Sequence, residues 1–169
     1  MYFGTGFTSG YYADGQRMWK QVGSGSRTYF LYDGGTIPTG EFDSSGNITA
    51  FNTTGPTGLL SRSTKSGTSW IQTFYAFDWR GNSVNRIEGA TGNLQTSSTY
   101  RAYGSRVSDT YDSDPYDGFG GQVGYYKDRE AGPWLYLCGA RHYSPNQGRW
   151  ITRDPISQAD GRAHPFSQI

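Results

Sequence analysis

Turn-forming pairs recur at short intervals along this chain: Asp14-Gly15, Asp33-Gly34-Gly35, Gly46-Asn47, Gly55-Pro56, Gly81-Asn82, Gly92-Asn93, Asp117-Gly118, Gly132-Pro133 and Gly148. This punctuation constrains the fold more than any other feature, because each Gly, Asn or Asp turn ends one extended run and starts another. The intervening runs are rich in Thr, Tyr, Phe and Trp, as in Arg27–Tyr32, Trp70–Phe77, Thr99–Tyr103, Trp134–Tyr143 and Arg149–Thr152. Such runs are short strands joined by Gly, Asn and Asp turns, which makes an antiparallel meander. Residues 52–69 are the least patterned and read as a long loop or an irregular hairpin.

Composition agrees. The chain has 169 residues, and its 14 Tyr, 9 Phe and 5 Trp outnumber Leu, Ile and Val together. A helical bundle is excluded by the scarcity of Ala, Leu, Met, Glu and Lys. Disorder is excluded by abundant aromatics at a net charge of +1. No apolar window approaches a membrane span, and Met1–Gly10 has neither a basic start nor an apolar stretch, so no classical signal peptide is visible. A single cysteine, Cys138, rules out an internal disulfide framework. Near-neutral charge provides no steering field for nucleic acid. Arginine greatly outnumbers lysine, which suits planar stacking on aromatic rings.

Within the runs, neither face is plainly apolar. Trp70–Phe77 places Ile71, Thr73, Tyr75 and Phe77 on one face and Trp70, Gln72, Phe74 and Ala76 on the other. Trp134–Tyr143, read as one strand, divides Trp134, Tyr136, Cys138, Ala140 and His142 from Leu135, Leu137, Gly139, Arg141 and Tyr143. Mixed faces of this kind fit a thin, extended sheet held by cross-strand pairs. Its edges must curl, stack or pair with another copy.

One unit is repeated. Phe42-Asp43-x-x-Gly46-Asn47-Ile48 recurs as Phe77-Asp78-x-x-Gly81-Asn82-Ser83, with a half-copy at Gly92-Asn93-Leu94. Each unit ends a strand on an aromatic, caps the turn with Asp and gives Gly the positive φ.

These residues resemble the YD repeats of the Rhs family. Trp70–Tyr103 looks like a typical copy. The segment Gly124–Ile156 is similar to the Rhs repeat-associated core, matching at Gly132, Tyr136, Gly139-Ala140-Arg141, Tyr143, Pro145, Gly148-Arg149-Trp150 and Asp154-Pro155-Ile156. The resemblance implies an all-β, curved antiparallel YD-repeat sheet forming a partial shell or barrel-like wrap. It divides the chain into a repeat-like sheet over residues 1–123, a core segment over 124–156 and a tail over 157–169. Many bacterial members of the family enclose a toxin, and in several the core is also an aspartic autoprotease. Asp154 matches the first of that site's two aspartates. Ser144 and Ser157 depart from the family pattern, and no later residue supplies the second aspartate's Asp-Pro-x-Gly-Leu context. One carboxylate cannot share a proton with itself, so the expectation is a miniature or truncated Rhs-like protein without self-cleavage.

Other candidate chemistry is thin. Asp154 before Pro155 reads as a turn cap. Arg141 and Arg149 suit stacking or pairing with carboxylates. His142 and His164 lack partners at ligand spacing. Asp109, Asp112, Asp114 and Asp117 could offer oxygen ligands to calcium but lack the EF-hand order. Gly4-x-Gly6 and Gly23-x-Gly25 lack the strand and helix of a nucleotide loop.

The sequence therefore predicts no catalytic, cofactor or metal residues, and no enzyme. It predicts an extracellular or cell-surface structural protein, toxin-associated by resemblance, that self-associates through open sheet edges into a shell, tube or filament. A surface carbohydrate-binding module and a residual autoprotease are the alternatives, and a glycan or an encapsulated polypeptide the alternative partners.

Overall fold

The computed structural model describes residues 6–107, 113–131 and 135–153. The chain is all-β. Nine strands form one antiparallel sheet in strict sequence order: β1 (Phe7–Tyr11), β2 (Arg17–Val22), β3 (Thr28–Leu31), β4 (Gly40–Phe42), β5 (Ile48–Gly55), β6 (Gly58–Ser66), β7 (Ser69–Phe77), β8 (Ser83–Glu88) and β9 (Leu94–Ser97). A second antiparallel sheet follows, made of β10 (Tyr126–Asp128), β11 (Leu135–Cys138), β12 (Arg141–Ser144) and β13 (Arg149–Trp150). The meander read from the turn spacing is the observed topology, and neither sheet closes into a barrel. Among the described residues, no helix is long and apolar enough to cross a membrane.

The repeated unit is a defined hairpin. At Asp43 the backbone N–H donates to Asn47 O (3.0 Å) and Gly46 N–H donates to Asp43 O (3.1 Å). The Asp43 carboxylate accepts from Ser45 N, Asn47 N and Asn47 Nδ2, each at 2.9 Å. Asp78 repeats the pattern with Asn82, Gly81 and Arg80. Gly46 and Gly81 have φ of 81° and 79°, the left-handed position of a type I turn with a following bulge.

Two further hairpins use the same backbone bonds without an Asp at that position: Tyr12 with Gly15 and Gln16, and Arg101 with Gly104 and Ser105. After three of the four turns the strand pairing skips one residue, at Met18, Thr49 and Val84. An extra residue at the same place in every third hairpin, β1–β2, β4–β5 and β7–β8, bends the strand and increases twist each time. That recurring bulge is how the repeat curves the sheet.

The core is small and aromatic. Phe30, Ile37, Leu59, Tyr116, Tyr126 and Leu137 form it, with Tyr11, Tyr32, Tyr75 and Phe77 packed alongside. Tyr126 of β10 meets Phe30 and Tyr116 edge-on, with ring centroids 5.6 and 5.5 Å apart. The second sheet and the loop before it thus lie against one face of the meander. On β7, Thr73 is buried and Tyr75 and Phe77 pack on this core, whereas Trp70, Gln72 and Phe74 on the opposite face are exposed.

Two local expectations need correction, and the two readings left open for residues 52–69 resolve to the irregular hairpin. Residues 134–143 are not one strand: Gly139 takes φ of 63° and divides β11 from β12, so the alternation assumed across it breaks. Residues 99–103 carry only an isolated bridge between Tyr100 and Arg106. Residues 52–69 contain no long loop. They form the β5–β6 hairpin, irregular at Thr53/Thr54, and open into β7.

Candidate functional site

Where the second sheet meets the meander, the contact is built from arginines and carboxylates rather than aliphatic side chains. Arg17 opens β2 and is fully buried, and its Nη1 donates to Asp128 Oδ2 on β10. The guanidinium also lies over the rings of Phe30 (4.8 Å) and Tyr126 (4.4 Å). Phe30, Arg17 and Tyr126 therefore form a three-way cluster in which the guanidinium lies over both rings while the rings meet each other edge-on. His142 Nε2 on β12 sits 3.1 Å from the same Asp128 oxygen. Burial raises the Asp128 carboxyl pKa, but Arg17 and the His142 hydrogen bond outweigh it and hold the group below its ordinary value. Burial likewise opposes the charge on Arg17, and Asp128 overcomes it.

A second pair lies beneath Tyr116. Arg62 of β6 forms a fork on Glu41 of β4, with both N···O distances 2.9 Å, and Nη1 also donates to Asn52 Oδ1 (3.1 Å). Asn52 in turn donates to Pro38 O (2.6 Å). Register explains the meeting: Asn52 pairs with Arg62 across β5–β6, and Arg62 with Thr73 across β6–β7, which makes one buried row on the inner face. Burial alone would raise the Glu41 pKa, but Arg62 brings it below the ordinary range.

The third node is Asp117. Arg106 Nη2 reaches Asp117 Oδ1 at 2.6 Å, Ser83 Oγ donates to it at 3.3 Å, and Arg86 Nη1 lies 4.0 Å from Oδ2. Lys127 Nζ donates to the Asp117 carbonyl at 2.9 Å. Asp114, one turn earlier, accepts from Tyr75 OH (2.8 Å) and caps its own loop through Tyr116 N and Asp117 N. Asp114 and Asp117 are thus committed to arginines and a turn. Asp109 and Asp112, their proposed calcium partners, lie outside the described residues, and among the described residues no group is placed to hold a metal.

Other residues singled out from sequence have local roles. Arg141 stacks on Trp150 at 4.3 Å. Arg149 Nε donates to Gln147 Oε1 at 2.9 Å. Cys138 is half-buried, bonds Tyr136 O, and burial pushes its thiol pKa up, away from a nucleophile's range. Ser144 is buried on β12. Asp154, Ser157 and His164 lie outside the described residues.

Arg17, Glu41, Arg62, Arg106 and Asp128 were not singled out beforehand. The one advance sign of them was the excess of arginine over lysine among aromatics. Chemically, the seam clamps: each carboxylate is tied to a cation, and each tie but Glu41–Arg62 involves the segment after the meander.

No family model matches the chain. It is 30% identical over 148 residues to the tRNA3(Ser)-specific nuclease WapA of Bacillus spizizenii, covering 87% of this chain and 6% of that protein. The same identity and shares hold for the tRNA nuclease WapA of Bacillus subtilis strain 168. The chain thus spans a small fraction of the curated relatives it matches. Among solved structures, TcdB2-TccC3 without its hypervariable C-terminal region superposes with a TM-score of 0.58 at 19% identity, over 91% of this chain and 8% of that one. TcdB2-TccC3-Cdc42 gives 0.57 at 20% identity, again over 91% and 8%. At this identity the likeness establishes the fold alone.

The sequence relatives correct one expectation. Enzyme function was set aside because no paired carboxylates or ligand clusters were found, yet these relatives are nucleases. That search tested only local chemistry within 169 residues. It has no bearing on an activity carried by a protein many times longer.

Proposed function

We propose that this chain is an Rhs-type YD-repeat sheet of a toxin-associated protein. In this reading residues 1–123 form the repeat region, 124–156 the repeat-associated core segment packed on it, and 157–169 a tail. The nuclease activity of the relatives belongs to the longer proteins of which such a sheet is one part, and the sheet serves as their casing. An extracellular or cell-surface setting goes with that role.

The observation that carries the reading is the pair of outer strands. Among the described residues, β1 pairs only with β2 and β9 only with β8, so no described strand covers either outer edge of the meander. Leu31 and Phe51 share one register row on the face away from the second sheet, and Phe74 and Ile87 the next. Leu31, Phe51, Trp70, Phe74 and Leu94 are all exposed. Such edges beside an apolar face favour extension by further strands, here from copies of the same chain, into a shell, tube or filament.

Light scattering and electron microscopy of the purified chain test this. Uniform particles much larger than the 18.7 kDa chain are expected, and Leu94→Lys at the β9 edge should reduce them. A stable monomer at micromolar concentration overturns the self-association.

A further inference from the structure

The face of the meander turned away from the second sheet carries two uncharged register rows. One runs from Leu31 through Gly40, Phe51 and Ser63 to Gln72. The next runs from Thr53 through Ser61, Phe74 and Ile87 to Leu94. Large and small side chains alternate along the first row, and Ser61 stands beside Phe74 in the second. Phe51 and Trp70 meet across β6, with ring centroids 5.2 Å apart. Ser61 and Ser63 are buried at 3% and 5% exposure, while Phe51 and Phe74 next to them are exposed at 41% and 43%.

We propose that this face is a docking surface for the same face of a second copy, the two sheets packing as the layers of a β-sandwich about a two-fold axis. Stacked sheets interdigitate large side chains over small ones, and an alternating row supplies both to its own mate. The rows hold no charge that would select a partner of opposite sign, so like meets like without an electrostatic cost.

Area supports the same occupant. The exposed parts of Leu31, Phe51, Trp70, Phe74 and Leu94, 41–58% of each residue, amount to roughly 500 Å² per copy on the usual size of large side chains. Two copies together bring about 1,000 Å², and exposed Thr53 and Gln72 in the same rows carry the pair into the range of stable interfaces, about 1,200–2,000 Å². The pairing uses the face and leaves the strand edges alone, so it stands apart from edge-to-edge growth.

Sedimentation of the full chain from nanomolar to micromolar concentration, with hydroxyl-radical footprinting of the same samples, tests the pairing. Expected are a reversible step from monomer to a species of twice 18.7 kDa and a loss of labelling at Phe51, Trp70 and Phe74 as it forms. Trp79, 87% exposed on the β7–β8 turn, is the control and keeps its labelling. Phe51→Lys and Phe74→Lys change strands that are paired on both sides, and each should weaken the dimer about tenfold or more. The wild-type footprint decides alone if both variants fail to fold. A monomer at micromolar concentration overturns the pairing, as does an unchanged dimer constant in both folded variants. Large particles in which Phe51, Trp70 and Phe74 label as freely as in the monomer also overturn it, while leaving edge growth intact. A dimer that grows no further upholds the face pairing and tells against the edges.

Discussion

Arg17 and Asp128 lie 111 residues apart in the chain and meet as a buried ion pair, shared with His142, that joins the first hairpin of the meander to the first strand of the second sheet. Neither partner has an alternative in solvent. Arg17→Met keeps an apolar side chain against Phe30 and Tyr126 but takes the arginine's charge and hydrogen bond away from the buried Asp128 carboxylate. We expect it to cost about 3–5 kcal/mol. Adding Asp128→Leu removes the stranded charge and should recover most of that loss. Denaturant titration of the two single variants and the double gives the coupling energy; additive losses would show that the pair does not act as a unit.

The two Asp-Gly-Asn turns offer a comparison within one molecule. Asn47 is exposed and serves only its own turn, with Nδ2 on Asp43. Asn82 makes the same bond to Asp78, is 2% exposed, and its Oδ1 also accepts from Gly120 N at 3.0 Å. Asn47→Ala should therefore cost about 1 kcal/mol or less, and Asn82→Ala about 2–3 kcal/mol, because it strands a buried backbone donor. Equal losses in thermal or denaturant unfolding would mean that the Gly120 contact contributes nothing.

Those turns also mark how far the sequence alone reaches. Asp43 and Asp78 are legible because all their partners lie within four residues. The equivalent hairpins at Tyr12 and Arg101 are not, since backbone bonds and one glycine make the same turn without an Asp side chain. Gly139-Ala140 went unrecognised as a turn because it sits inside an aromatic run with no Asn, Asp or Pro next to the glycine. Arg17 with Asp128, and Arg106 with Asp117, depend on register and on how the second sheet docks. No periodicity within one strand carries that information. The surplus of arginine announced stacked cations without saying which ones.

Glycine substitutions separate backbone strain from close approach. Gly46 has φ of 81° and open space around it, so Gly46→Ala should cost only the left-handed penalty of about 1–2 kcal/mol. Gly58 has φ of 122°, and a Cβ there would stand 2.0 Å from the Gln122 carbonyl oxygen, backbone rather than a movable side chain. Gly58→Ala must push the 121–123 turn off the β5–β6 hairpin and should cost more than about 3 kcal/mol. Hydrogen exchange checks the mechanism: protection should fall around residues 113–128 in Gly58→Ala and stay unchanged there in Gly46→Ala.

Stability should rise with pH on the alkaline side before it falls. Lys127 titrates near 8 in the folded chain against an ordinary value of 10.5, so between these values the unfolded chain holds a proton that the folded chain lacks. Stability therefore increases from about pH 8 towards about pH 9, where the buried Cys138 thiol, its pKa raised in the folded chain, begins to oppose the rise. Above that, Tyr32 and Tyr100, pushed up to about 12 by burial, reverse the trend, because the unfolded chain loses their protons first. On the acid side, Glu41 and Asp128 are held low. Their stabilisation is complete above the ordinary carboxylate range and disappears as pH falls through their depressed folded values. Lys127→Met should flatten the alkaline rise and leave the acid limb in place. Guanidinium unfolding across pH 3–11 measures both limbs, and a wild-type curve that falls steadily from pH 8 to 9 would show that Lys127 is charged without penalty in the folded chain.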